Sequence, residues 1–147
     1  MKKSVVLLLI LVISAYGYNR YLRIESINNK PKRNVARIEN KAKEALLYCK
    51  KKKFDENCCI LIDMSVHSGL NRLFIYDFNK NEVSRSMLVG HGCGNYPWSF
   101  DFSKDNPDFS NIDGSHCSSL GKYKIGKRAW SNWGINVKYV LHGLEKT

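Results

Sequence analysis

The chain has 147 residues, 44% of them hydrophobic, with 24 Lys and Arg against 13 Asp and Glu for a net charge of +11. That composition excludes a low-complexity or disordered chain, and the length admits one modest domain with an N-terminal appendage. The charge does not make it a nucleic-acid binder: no recognisable nucleic-acid motif accompanies it, and nine of the eleven surplus charges fall in residues 20–53, which hold twelve Lys and Arg against Glu25, Glu39 and Glu44.

Residues 1–18, "MKKSVVLLLILVISAYGY", place Lys2 and Lys3 before an apolar run from Val5 to Ile13, followed by small and aromatic residues. This order reads as an export signal, with Ala15-Tyr16-Gly17 as the cleavage region, or as an N-terminal anchor if the run continues uncut through Tyr18. Both deliver the remainder outside the cytoplasm. Residues 19–33 are basic and polar, contain Pro31 and read as a linker. Beside an export signal, the basic segment 20–53 suits contact with anionic lipid or an anionic envelope polymer, although a solvated linker and helix face explains the same charges.

Residues 34–57 carry an amphipathic helix. Val35, Ile38, Ala42, Ala45, Leu46 and Cys49 recur at three- and four-residue spacing, Asn34 is placed to cap the start, and Lys50 to Lys53 meet the negative end of the helix dipole. After Asn57 the period becomes that of strands. "CCILIDM" (58–64), "RLFIYDF" (72–78) and "VSRSMLVG" (83–90) predict a three-stranded meander joined by "HSGLN" and "NKNE", with both faces of the middle strand covered. Residues 91–120 show no period, and a loop of that length in a small domain points to function. "KYKIGKRAW" and "WGINVKYVLHGL" return to strand alternation. The fold class expected is therefore α+β, mainly β with an N-terminal amphipathic helix.

Five cysteines at irregular spacing do not form a disulfide framework. Cys58 and Cys59 open a strand and read as small buried hydrophobes. Cys93, in "MLVGHGCGNYP", has Gly92 and Gly94 beside it and His91 two residues before it, so it is equally readable as a thiol nucleophile or a structural cysteine. His91, Cys93, His116 and Cys117 are spaced too tightly for a structural zinc pattern, so no metal is expected. His67 reads as an exposed turn residue and His142 as a hydrogen-bonded residue at the core edge. In "FSNIDGSHCSSLGKYKIG" (109–126), the small hydroxyl side chains Ser115, Ser118 and Ser119 can serve a peptide-like ligand or their own backbone.

Together, "ILIDMSVHSGLNRLFIYDFNKNEV", "LVGHGCGN", "FSNIDGSHCSSLGKYKIG" and "WGINVKYVLHGLE" resemble the murein L,D-transpeptidase catalytic-domain family of bacterial envelopes. The family's "IVD", "Ser-Gly-x-x-Arg-Leu", "V-x-HG", "FSN-x-x-GS-x-x-SSLG-x-Y-x-x-G" and "GLE" elements fall on Ile62-Asp63, Ser68 to Leu73, Val89 to Gly92, Phe109 to Gly126 and Gly143 to Glu145. The resemblance implies an exported, β-rich enzyme whose cysteine forms a thioester with a peptidoglycan stem peptide, with no cofactor. It implies site-lining roles for His91, Gly92, Ser115, His116, Ser118 and Ser119.

The family's nucleophile and partner histidine follow the "GLE" element, so the resemblance places both beyond Thr147. It also makes residues 58–147 a partial catalytic domain, inactive as given, whose last strand is left with an unpaired edge. Cys93 lacks the upstream strand histidine that the wider group uses: the position fifteen residues before it is Phe78, and the nearest earlier histidine is His67. Two other functions compete. One is a non-catalytic peptidoglycan- or envelope-binding module, and the other is a cysteine hydrolase using Cys93 with His91 or His116.

Overall fold

A computed structural model describes residues 2–28, 33–95, 107–132 and 134–145. Among the described residues, two helices and five strands in two small sheets give an α+β architecture. It divides into two compact units, Met1–Gly90 and His91–Thr147.

The first unit begins with helix α1, Lys2–Asn28. Its window Val5–Leu22 is long and apolar enough to cross a bilayer by length and composition, and none of that window is buried in the protein. A signal sequence has the same character. The helix runs ten residues past the expected boundary at Tyr18, so the polar stretch read as a linker is helical as far as Asn28. Residues 18–28 contain no Gly or Pro to stop it, and helix propagates readily once nucleated.

Helix α2, Val35–Lys52, starts where the cap residue is. The Asn34 side chain accepts from the Arg37 amide at 3.0 Å. Lys53 closes the helix in the left-handed conformation (φ 55°), with the Phe54 amide donating to Cys49 O at 2.9 Å. Ile38 and Ala42 are buried, whereas Val35, in the first turn, is exposed.

Strands β1 (Cys58–Ile62), β2 (Leu73–Asp77) and β3 (Glu82–Met87) form an antiparallel sheet in that order. Register aligns Cys59 with Tyr76 and Leu61 with Phe74, so these four share one face. Phe74 and Tyr76 are the buried centre of that face. They meet Ile38 and Ala42 of α2, with Cys59, Leu61, Phe78 and Val83 packed around them. The opposite face carries Leu73 and Ile75 of the middle strand, both half-buried, and Ile60 and Ile62 of β1, both nearly half exposed, so the second side of the middle strand is only partly covered. Adjacent strand residues point in opposite directions, so only one of the two neighbouring cysteines is drawn inward: Cys59 joins the core and Cys58 faces solvent. Burial, with the nearby Cys49 and Cys58 thiols, pushes the Cys59 thiol up to about 12.

The sheet is tied at its ends by polar side chains. Arg72 is fully buried and bridges two carbonyls, donating from Nε to Val89 O at 3.0 Å and from Nη1 to Val66 O at 3.1 Å. Asp63 accepts from Arg37 of α2 and, at 2.7 Å, from the Ser65 hydroxyl. Burial acts to raise the Asp63 carboxyl, but the bonds from Arg37 and Ser65 outweigh it and hold the group below the ordinary carboxylate range.

In the second unit, β4 (Tyr123–Trp130) and β5 (Val137–Gly143) form an antiparallel hairpin with a bulge between Ile125 and Arg128. Pairing of Lys124 with His142 and of Ala129 with Lys138 gives a basic face. The pairs Ile125–Leu141, Arg128–Tyr139 and Trp130–Val137 make the other face largely apolar. Ile125, Trp130, Tyr139 and Leu141 on that second face are all exposed. His142 is exposed as well, contrary to the expected core-edge position; its ring lies where a Cβ on Gly126 would come within 2.5 Å of Nε2.

Candidate functional site

The second unit brings together the two glycine- and serine-rich segments that carry the nominated residues. Gly92 donates its amide to Ser118 Oγ at 2.9 Å, and Gly94 donates to His116 O at 3.1 Å. The approach is close. A Cβ on Gly92 would sit 2.1 Å from His116 O and 2.8 Å from Cys117 Cα, so the backbones lie against each other as only glycine permits. Gly94 (φ 58°) and His116 (φ 56°) both adopt left-handed conformations, which turn the two segments toward each other.

Residues 109–119 are held by their own hydroxyls. Phe109 and Ser118 form a parallel bridge, and the Ser110 amide donates to Ser118 O at 3.2 Å. Ser110 Oγ accepts from the Ile112 amide at 3.1 Å, and Ser115 Oγ accepts from the Cys117 amide at 3.4 Å. Ser119 and Tyr123 share a hydroxyl–hydroxyl bond. Much of the serine-rich text is therefore spent on the loop itself. Ser115 and Ser118 each act as acceptors in these bonds, and a hydroxyl that accepts still has its proton to donate to a ligand.

A concavity of ≈ 430 Å³ opens beside this loop, bordered by Ser110, Asp113, Ser115, His116, Ser119, Tyr123 and Glu145. Glu145 is fixed at its rim by Lys122, whose Nζ donates to Oε1 at 2.6 Å and whose amide donates to Oε2 at 3.2 Å. Those bonds hold the Glu145 carboxyl below its ordinary value. Gly121 adopts φ 139°, a conformation that side chains rarely take, and a Cβ there would also push on the Glu145 carboxylate, 2.8 Å from Oε2.

Of the residues nominated from the sequence, Ser115, His116 and Ser119 border the concavity, while Gly92 and Ser118 meet each other beside it. The Cys93 thiol points to Gly94 O at 3.7 Å. Among the described residues, no group of three or more His, Cys, Asp or Glu side chains is arranged to hold a metal ion.

The sequence matches the family model of the L,D-transpeptidase catalytic domain over residues 29–147. The chain belongs to that family. Comparison with curated proteins and with solved structures finds no match. The L,D-transpeptidase match spans both sheets, and its motif elements acquire distinct tasks in the structure. Arg72 of the "Ser-Gly-x-x-Arg-Leu" element is a buried tie between two carbonyls, and Glu145 of "GLE" is a rim residue paired with Lys122. Residue-by-residue reasoning passed over both; their position inside family motifs was the signal that marked them.

Proposed function

We propose that this chain is an exported member of the L,D-transpeptidase family, whose chemistry transfers acyl groups between peptidoglycan stem peptides through a cysteine thioester. The junction of Gly92 with Ser118 supports this reading most directly. It brings the "V-x-HG" and "GS-x-x-SSLG" elements, 26 residues apart, into one wall beside a concavity lined by hydroxyls and glycines. A peptide substrate needs such donors and acceptors along its backbone.

In this reading His91, Gly92, Ser115, His116, Ser118 and Ser119 shape the acyl-binding wall. In the family's chain order the attacking thiol and its histidine follow the "GLE" element. Helix α1 serves as export signal or anchor, and the basic residues of 20–53 hold the domain near anionic lipid or polymer of the envelope. The thiol's part is nucleophilic attack on the stem-peptide carbonyl, and an amine or water then takes the acyl group.

Two measurements test the proposal. Purified sacculi are expected to retain the chain, and replacement of Ser118 and Ser119 by Ala is expected to weaken retention; unchanged retention removes the loop from substrate contact. A thiol-reactive acylating probe is expected to leave Cys93 of residues 1–147 unlabelled. Labelling that disappears in Cys93→Ala assigns the chemistry to Cys93 and overturns the placement of the nucleophile after "GLE".

A further inference from the structure

The two cysteines of the second unit, Cys93 and Cys117, are 24 positions apart, and no part of the acyl-transfer reading uses either. Both are half-buried thiols. The fold brings Cys117 between the two glycines that flank Cys93. On one side, a Cβ on Gly92 would lie 2.8 Å from Cys117 Cα. On the other, a Cβ on Gly94 would lie 3.2 Å from Cys117 Sγ. The Cys93 sulfur meanwhile lies 3.7 Å from Gly94 O, so the two sulfurs flank the same residue.

With a carbon–carbon bond of about 1.5 Å, the Gly92 and Cys117 Cα atoms are within about 4.3 Å of each other. Cys93 is one trans peptide, about 3.8 Å, further on. The Cα atoms of Cys93 and Cys117 are therefore at most about 8 Å apart. Bridged cysteines have Cα separations of about 4.4–6.8 Å, a range that lies within this bound; side-chain rotation turns the sulfurs together, and backbone movement of the glycine loop takes up any excess in Cα separation.

From this juxtaposition we infer that Cys93 and Cys117 form a disulfide in an oxidising compartment, clamping the "HGCGN" segment onto the serine-rich loop. The reaction is thiol–disulfide exchange with a disulfide donor. The thiolate of one cysteine attacks the donor, releasing one donor thiol and forming a mixed disulfide. The second cysteine's thiolate then attacks the protein sulfur of that intermediate and releases the other donor thiol. Two thiols and one donor disulfide become one protein disulfide and two donor thiols, so the donor takes up both electrons and both protons. The link makes covalent what is otherwise held by the Gly92–Ser118 and Gly94–His116 hydrogen bonds. It goes beyond the acyl-transfer reading and stands or falls separately from it.

The test uses the full chain, equilibrated in a mixture of oxidised and reduced glutathione, quenched with acid, denatured and alkylated with a maleimide before proteolysis and mass spectrometry. The expected result is one species in which the Cys93 and Cys117 peptides are joined, while Cys58 carries the maleimide. Recovery of Cys93 and Cys117 each alkylated, each carrying glutathione, or paired with other cysteines overturns the inference.

A second measurement is hydrogen exchange at the Gly92 and Gly94 amides. Reduction of the wild-type chain is expected to speed exchange there at least tenfold, whereas a reductant is expected to change nothing in Cys93→Ser, whose Cys117 is then open to alkylation. Equal exchange before and after reduction of the wild type overturns the clamp.

Discussion

Replacing Gly92 by Ala tests the junction at the centre of the site. The added methyl would meet His116 O at 2.1 Å, and that oxygen belongs to a backbone that cannot swing aside as a side chain can. Relief to an ordinary carbon–oxygen contact of about 3.3 Å requires the segments to part by about 1.2 Å. A displacement of that size lengthens the Gly92–Ser118 and Gly94–His116 bonds, now 2.9 and 3.1 Å, beyond hydrogen-bonding range. Two lost bonds at about 1 kcal/mol each, with about 1–2 kcal/mol of residual overpacking strain, give a destabilisation of about 3–4 kcal/mol in the second unit. Urea unfolding followed by tryptophan fluorescence measures the loss, and hydrogen exchange at the Gly94 amide localises it. Gly90→Ala is the matched control, because a Cβ there meets nothing within 4 Å, and its expected effect is neutral or slightly stabilising. A Gly92→Ala chain within about 0.5 kcal/mol of wild type, with Gly94 exchange unchanged, would refute the close-approach reasoning.

Arg72→Met leaves the carbonyls of Val66 and Val89 without the donors they now have and is expected to cost about 2–4 kcal/mol in urea titrations; Arg72→Lys should recover only part, since one ammonium cannot reproduce the fork that spans both. Asp63 has a folded-state pKa below its unfolded value, so its contribution is present above the unfolded value near about pH 4 and is lost as pH falls through the folded one. Thermal midpoints recorded between pH 6 and 3 should therefore fall more steeply in wild type than in Asp63→Asn, and parallel curves would count against the Arg37–Asp63 tie. At pH 8 the Cys59 thiolate fraction is about 10⁻⁴, given its value of about 12, so a chromogenic disulfide reagent should modify Cys58 promptly and Cys59 only after unfolding. Comparable rates at the two positions in the folded chain would contradict the packing of Cys59 against the core.

Much of the secondary structure was legible because it follows from local rules. The apolar period and Asn34 located α2, and alternation between turn clusters located β1 to β5. The family motifs named the segments that line the site. Local text did not reveal how the hydroxyls are used. Ser115, Ser118 and Ser119 are chemically alike, yet one holds a neighbouring amide, one holds Gly92, and one meets Tyr123. Their sequence positions are almost adjacent; their partners are 2, 26 and 4 residues away.

The sequence by itself therefore determined the family, the apolar character of α1, the amphipathic helix and the strand pattern. Each of these depends on composition or on spacing within a few turns of chain. Tertiary structure alone decided that Cys59 and not Cys58 packs against the core, that Arg72 ties two carbonyls, and that Cys117 comes to rest between Gly92 and Gly94. Those outcomes depend on contacts between segments far apart in the chain. Sheet register chooses which face meets α2, and left-handed turns at Gly94 and His116 choose which atoms of the two loops touch.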